Sequence, residues 1–199
     1  FFLLANDRAA DGSVQPARDV LDGRVSHKTE VYSVDHLHGM LPLFSDIYAA
    51  AGKAGIKAET LISEYAPGQY ELTLHYREDV MQAADDLMRL KRIVRLQARQ
   101  HSVTACFMAK PVEKYAGSGM HFHVSLLDDK GRNVFVEAQE GIWNEKILHA
   151  LGGQAHAQLG SFACGSDPHE LAAPILGIRL MPHPAARFQA PDDRARRGG

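Results

Sequence analysis

The stretch Ala116–Ser125, A-G-S-G-M-H-F-H-V-S, constrains this chain more than any other. His121, His123 and Ser125 alternate with Met120, Phe122, Val124 and Leu126. Side chains two apart on a strand share a face. The pattern therefore predicts a central strand over Met120–Leu127, with a buried apolar back and two imidazoles and a hydroxyl in front. Gly117 and Gly119 lead into it, and glycine permits positive φ and close approach of a ligand to bare amides. A polar face behind such a loop suits a metal and a phosphate. The same alternation also describes the wet face of an ordinary strand.

A strand of this kind needs a sheet, and the rest of the chain predicts one. Phe1–Leu4 reads as the end of a buried strand, and Asn6–Gly23, rich in Asp, Gly, Ala and Pro, as loop. Ser33 or Asp35 is the expected cap of a helix whose apolar side is Leu37, Leu41, Phe44, Ile47, Tyr48 and Ala51. Pro42 disturbs that helix or marks its first turn, and Gly52 and Gly55 stop it. Ile56–Ser63 and Tyr70–Tyr76 read as strands joined at Pro67-Gly68, the order of a type II turn. Tyr70, Leu72, Leu74 and Tyr76 share one face of the second. A long helix follows from Glu78-Asp79 to near Arg99, acidic at its start and basic at its end. Val103–Met108 is a strand and Ala109–Ser118 a loop. Beyond the central strand, Asp128–Arg132 turns back into Asn133–Val136 as a hairpin, and Ile142–Leu151 is a helix. Antiparallel hairpins with interspersed helices predict an α+β fold, an antiparallel sheet with helices packed on it.

Composition narrows the function. At 199 residues, 45% hydrophobic and 23% charged, the chain has enough apolar material for one sizeable core. A net charge of −2 provides no basic field for nucleic acid. No apolar run approaches the roughly 18–20 residues of a membrane span. Cys106 and Cys164 make no disulfide framework, so a reducing, cytoplasmic setting is expected.

Glu64-Tyr-Ala-Pro-Gly-Gln-Tyr-Glu71 is the second informative stretch. With the turn centred on Pro67-Gly68, Glu64 and Glu71 are expected directly opposite each other, Cβ atoms roughly 4.5–5.5 Å apart. Two carboxylates that close repel, or one takes a proton. A hard divalent cation resolves the conflict. With His121 in reach, a Glu/Glu/His set favours Mg²⁺ or Mn²⁺ over a thiolate-type zinc site. Alternatively both acids point into water on an edge hairpin, where repulsion is screened. A metal-dependent hydrolase built on His121 and His123 would need further clustered ligands, and His27, His36, His38, His75 and His101 are scattered.

Taken together, E-Y-A-P-G-Q-Y-E, then F-M-A-K-P, then G-S-G-M-H-F-H-V-S resembles the catalytic domain of the glutamine synthetase family, over roughly Phe1 to Gly153. The resemblance implies an ATP-dependent ligase. ATP phosphorylates the side-chain carboxylate of glutamate, and an amine then displaces phosphate. By position, Glu64 resembles a metal ligand that also faces the glutamate and amine pocket. Glu71 resembles a second ligand of that Mg²⁺ or Mn²⁺, and His121 the ligand of the other metal, near the ATP phosphates. His123 and Ser125 look like nucleotide-site residues, and Gly117 sits where the family's backbone meets glutamate. Lys110 lies in a motif but carries no assigned role. M-A-K-P with A-G-S-G, Ala116 standing where ammonia-using members carry Asn, is more similar to the branch that joins glutamate to putrescine or a related polyamine.

The departures are equally definite. Family members carry an E-x-E pair just before the F-F-L strand, and a small N-terminal domain that completes a neighbour's site in homo-oligomeric rings. Neither is in these 199 residues, so the chain is expected to be a fragment, inactive alone. From residue 154 on, the sequence reads as a divergent or out-of-frame tail, in which Arg179 and Arg187 are unremarkable surface charges. A non-catalytic relative of the same fold is the alternative function.

Overall fold

Residues 1–136 and 144–153 are described by this computed structural model. They fall in two units, residues 1–118 and the described residues from 119 on. The first unit runs β1 (Phe2–Ala5), α1 (Val34–Gly39), α2 (Leu41–Lys53), β2 (Ala58–Ser63), β3 (Tyr70–Leu74), α3 (Val80–Gln100) and β4 (Val103–Cys106). This is the expected α+β arrangement.

The apolar F-F-L-L run at the chain's start has no polar face to show water, so it forms an interior strand. β1 pairs antiparallel with β4, Phe2 opposite Cys106, and β2 pairs antiparallel with β3, Ile62 opposite Glu71. The free edge of β1 meets the β2–β3 hairpin. Phe2 bridges Gln69, Leu3 N–H donates to the Gly68 carbonyl at 2.7 Å and Tyr70 N–H to that of Phe1 at 2.8 Å. Leu3, Leu43, Phe44, Ile47, Tyr70, Leu90, Val94, Ala98 and Val103 form the core, with Leu61, Leu72 and Leu74 packed against it. Each fully buried aliphatic side chain contributes about 1.5–3 kcal/mol.

The helix expected after Ser33 is divided in two. Met40 leaves helical geometry at φ −103°, ψ 8°, and Pro42 occupies the first turn of α2, where its missing N–H does no harm. The break rotates Leu41 outward, 47% exposed, while Leu43, Phe44, Ile47 and Ala51 face the core. Ser33 stands at the start of α1 without a side-chain capping bond. In α3 the cap is real: the Asp79 carboxylate accepts from Met81 and Gln82 N–H at 2.8 and 3.1 Å. Arg77 then pins the far end of β3, meeting buried Asp86 at 2.8 Å and donating to the Gly55 carbonyl at 2.8 Å.

The second unit departs from expectation. Met120–Leu127 forms no strand; its one ladder contact is a bridge from Leu127 to Asn133, so the hairpin with Asn133–Val136 shrinks to that bridge. Alternation gives a segment two faces, but a strand exists only when neighbours take its N–H and C=O groups. Among the described residues the four strands pair with one another. The side chains expected to be buried, Met120, Phe122, Val124 and Leu126, are 40–52% exposed. The turn itself forms: Asp128 accepts from the Lys130 and Arg132 N–H groups at 2.9 and 2.8 Å, and Gly131 takes φ +72°. Residues 145–153 are helical, with the Asn144 side-chain oxygen accepting from Ile147 N–H at 3.0 Å. The expected start of that helix, Ile142, and residues 154–199 lie outside the described residues.

Candidate active site

The β2–β3 hairpin carries the paired acids. Its turn is where the Pro-Gly pair predicts it: Gln69 N–H donates to the Ala66 carbonyl at 3.0 Å, with Gly68 at φ +72°. Glycine is required there twice over, because a Cβ would also lie 2.7 Å from the Leu3 carbonyl oxygen.

The register corrects one expectation. Glu64 and Glu71 are not directly opposite. Glu64 N–H donates to the Gln69 carbonyl at 2.8 Å, Ser63 faces Tyr70, and Glu71 faces Ile62. Tyr65 and Ala66 both belong to the loop, which moves the ladder by two positions. A shift of two preserves the face, so Glu64 and Glu71 are diagonal neighbours, with Cβ atoms roughly 7 Å apart. Both are half-buried.

Gln69, to which sequence reasoning gave no role, joins this hairpin to the glycine-rich loop. It is buried, its side-chain oxygen accepts from Ala66 N–H at 3.2 Å, and its amide donates to the Gly117 carbonyl at 2.9 Å and the Ser118 hydroxyl at 3.1 Å. Ser118 N–H also donates to the Ala109 carbonyl at 2.7 Å. A Cβ at Gly117 would stand 2.9 Å from that same carbonyl oxygen, so glycine is needed for this approach. The signal that marks Gln69 is a long amide placed between a tight turn and a core-facing tyrosine, where burial demands partners. Glu64, Glu71 and Gly117 are therefore assembled within the first unit. His121, His123 and Ser125 belong to the second unit and are exposed. Among the described residues, no group of three His, Cys, Asp or Glu side chains is gathered around one metal position.

The family model described as glutamine synthetase, catalytic domain, matches residues 1–167. The chain belongs to the glutamine synthetase family. Among curated members it is 40% identical to the gamma-glutamylputrescine synthetase PuuA of Escherichia coli (strain K12), over 82% of this chain and 34% of that protein. It is 35% identical to the glutamate–isopropylamine ligase of a Pseudomonas species, over 76% of this chain and 33% of that protein. A glutamine synthetase of Halobacterium salinarum is 42% identical over half of this chain and 22% of its own length. The chain thus spans about a third of the first two relatives. Among solved structures, a GmaS/ADP complex matches with a TM-score of 0.58 and 26% identity, over 72% of this chain and 31% of that one.

Within this glutamine synthetase-type frame the donor chemistry fits a hard cation. Two half-buried carboxylates on one face supply oxygen ligands of the kind Mg²⁺ and Mn²⁺ take. In the described residues the fit is with that oxygen pair alone.

Proposed function

We propose that the protein carrying this chain is an ATP-dependent ligase that joins the side-chain carboxylate of glutamate to an amine through a γ-glutamyl phosphate. The observation that carries this reading is the pairing of Glu64 and Glu71 on one hairpin face, tied through Gln69 to Gly117, in a member of this family. A glutamate carboxylate oxygen attacks the γ-phosphorus of ATP and ADP leaves. The amine nitrogen then attacks the acyl carbon, gives up a proton to Glu64, and inorganic phosphate leaves. Gly117 offers backbone groups to glutamate, and His123 and Ser125 face the nucleotide. Glu64 and Glu71 would hold one Mg²⁺ or Mn²⁺ and His121 would be a ligand of the other, and such ions would supply neutralisation of phosphate charge. The acceptor is an alkylamine, and a polyamine first: one relative is named for the diamine putrescine and another for the monoamine isopropylamine. A homo-oligomer and a cytoplasmic setting complete the reading. Among the described residues no helix is long and apolar enough to cross a membrane.

The test is an amine panel on the full-length protein, with glutamate and ATP, reading phosphate release and trapping the acyl phosphate with hydroxylamine. Putrescine or spermidine is expected to outperform ammonia. Ammonia winning by a wide margin overturns the polyamine assignment. Absence of hydroxamate and of phosphate release with every amine overturns the ligase and favours a non-catalytic member of the fold. Glu64→Gln is expected to lower kcat about 100-fold or more, as for removal of a proton-accepting group. We also propose that residues 1–153 are part of the catalytic domain and that 154–199 form a divergent or out-of-frame tail. An intact reading frame through the stop codon would eliminate the out-of-frame origin.

A further inference from the structure

His36 makes a set of contacts that the ligase reading does not use. Its Nε2 lies 2.7 Å from the Ser26 hydroxyl, and its Nδ1 lies 3.4 Å from the Ser63 hydroxyl. Its backbone carbonyl accepts from the Tyr70 hydroxyl at 3.3 Å. Ser63 and Tyr70 are register partners in the β2–β3 hairpin, and both are buried, 1% and 3% exposed. Ser63 immediately precedes Glu64, and Tyr70 immediately precedes Glu71. Alternation turns those two side chains away from the acid-bearing face. One residue on α1 therefore grips both strands of the hairpin from behind, one position before each carboxylate.

The same residue ties in the loop that leads to α1. Ser26 is held by the imidazole, and Tyr32 N–H donates to the Ser63 carbonyl at 2.9 Å. Tyr32 adopts φ +60°, a left-handed conformation that is uncommon for a bulky residue and persists only where its surroundings impose it. The constraint converges on Ser63 from two sides, imidazole and backbone.

We propose that His36 is a positioning residue for the Glu64–Glu71 pair: clamped to Ser26, Ser63 and Tyr70, it fixes the hairpin in the register and twist that let both carboxylates meet one divalent cation. This rests on the reading of Glu64 and Glu71 as metal ligands. His36 touches neither acid. It acts through the residue beside each, as the outer partners of metal ligands do, where loss commonly lowers affinity about 10- to 100-fold.

The test is Mn²⁺ titration of the full-length protein without nucleotide, read by electron paramagnetic resonance of free Mn²⁺, with thermal unfolding measured in parallel. His36→Ala is expected to weaken Mn²⁺ binding about tenfold. His36→Asn, whose amide nitrogen takes the place of Nδ1 towards Ser63, is expected to restore most of that loss. Ser63→Ala removes the same contact by deleting only a hydroxyl; it is expected to weaken binding several-fold, and it serves if His36→Ala does not fold. The control is Asp46→Asn, which weakens a 2.7 Å contact to His101 elsewhere in the same unit and is expected to leave Mn²⁺ affinity unchanged. Unchanged affinity in His36→Ala or Ser63→Ala overturns the proposal, as does an affinity in His36→Asn no better than in His36→Ala. Absence of Mn²⁺ binding by the wild-type protein is a different result: it overturns the metal-site reading and this proposal together.

Discussion

Gln69 shows how one amide organises a site. It satisfies groups on both sides of a gap that spans 48 positions in the chain. Gln69→Ala leaves the buried Ala66 N–H without that partner, at a cost of about 1–3 kcal/mol, and releases the carbonyl of exposed Gly117 to water. Urea unfolding is expected to show that loss; on the proposed role of Gly117, KM for glutamate is also expected to rise in the full-length protein, because Gly117 loses its anchor. Asp19 makes a separate prediction at this scale. Its carboxyl packs onto Gly39 and is held above the ordinary carboxylate range, first by burial and then by Asp22, with His36 and Arg24 opposing. A raised value means that the folded state holds the proton more tightly. Stability from this group is therefore greatest at low pH and declines as pH rises through the unfolded-state value towards the folded one. Asp19→Asn is expected to stabilise the protein at pH 7, and the gain is expected to vanish near pH 3, where Asp19 is neutral in both states. Equal gains at both pH values in urea melts would contradict this account.

Among the elements, legibility follows the range of the forces that make them. β1, α2, β3 and α3 could be read from sequence because each depends on local periodicity and on a stop or cap within a few residues, such as Asp79 ahead of α3. Asp79→Ala is expected to cost about 0.5–2 kcal/mol of stability through the two lost capping bonds. The hairpin turn was legible at Pro67-Gly68, whereas the register was not, because nothing local says whether Tyr65 and Ala66 pair or join the loop. Met120–Leu127 shows the opposite failure: its alternation is strong, but pairing needs a neighbour that no local pattern supplies. His36 and Gln69 were illegible for the same reason, since their partners come from other elements.

For the molecule as a whole, the motifs identified the family, and two of them, E-Y-A-P-G-Q-Y-E and A-G-S-G, are joined by the Gln69 amide, a contact the sequence did not announce. If the acid pair binds a cation in the folded state only, the cation stabilises that state by mass action. At a free concentration of 100 times Kd this amounts to about 2.7 kcal/mol. Mn²⁺ is therefore expected to raise the Tm of the full-length protein, EDTA to reverse the rise, and Glu71→Gln to abolish it.

The pairing of Phe2 with Cys106 has a consequence for biosynthesis. A strand near the beginning of these 199 residues cannot close until one about a hundred positions later has left the ribosome, which at 5–20 residues per second means a wait of roughly 5–20 s. Throughout that interval the edge of β1 that takes β4 stays unpaired, even after Pro16, Gly68 and Tyr70 have reached its other edge.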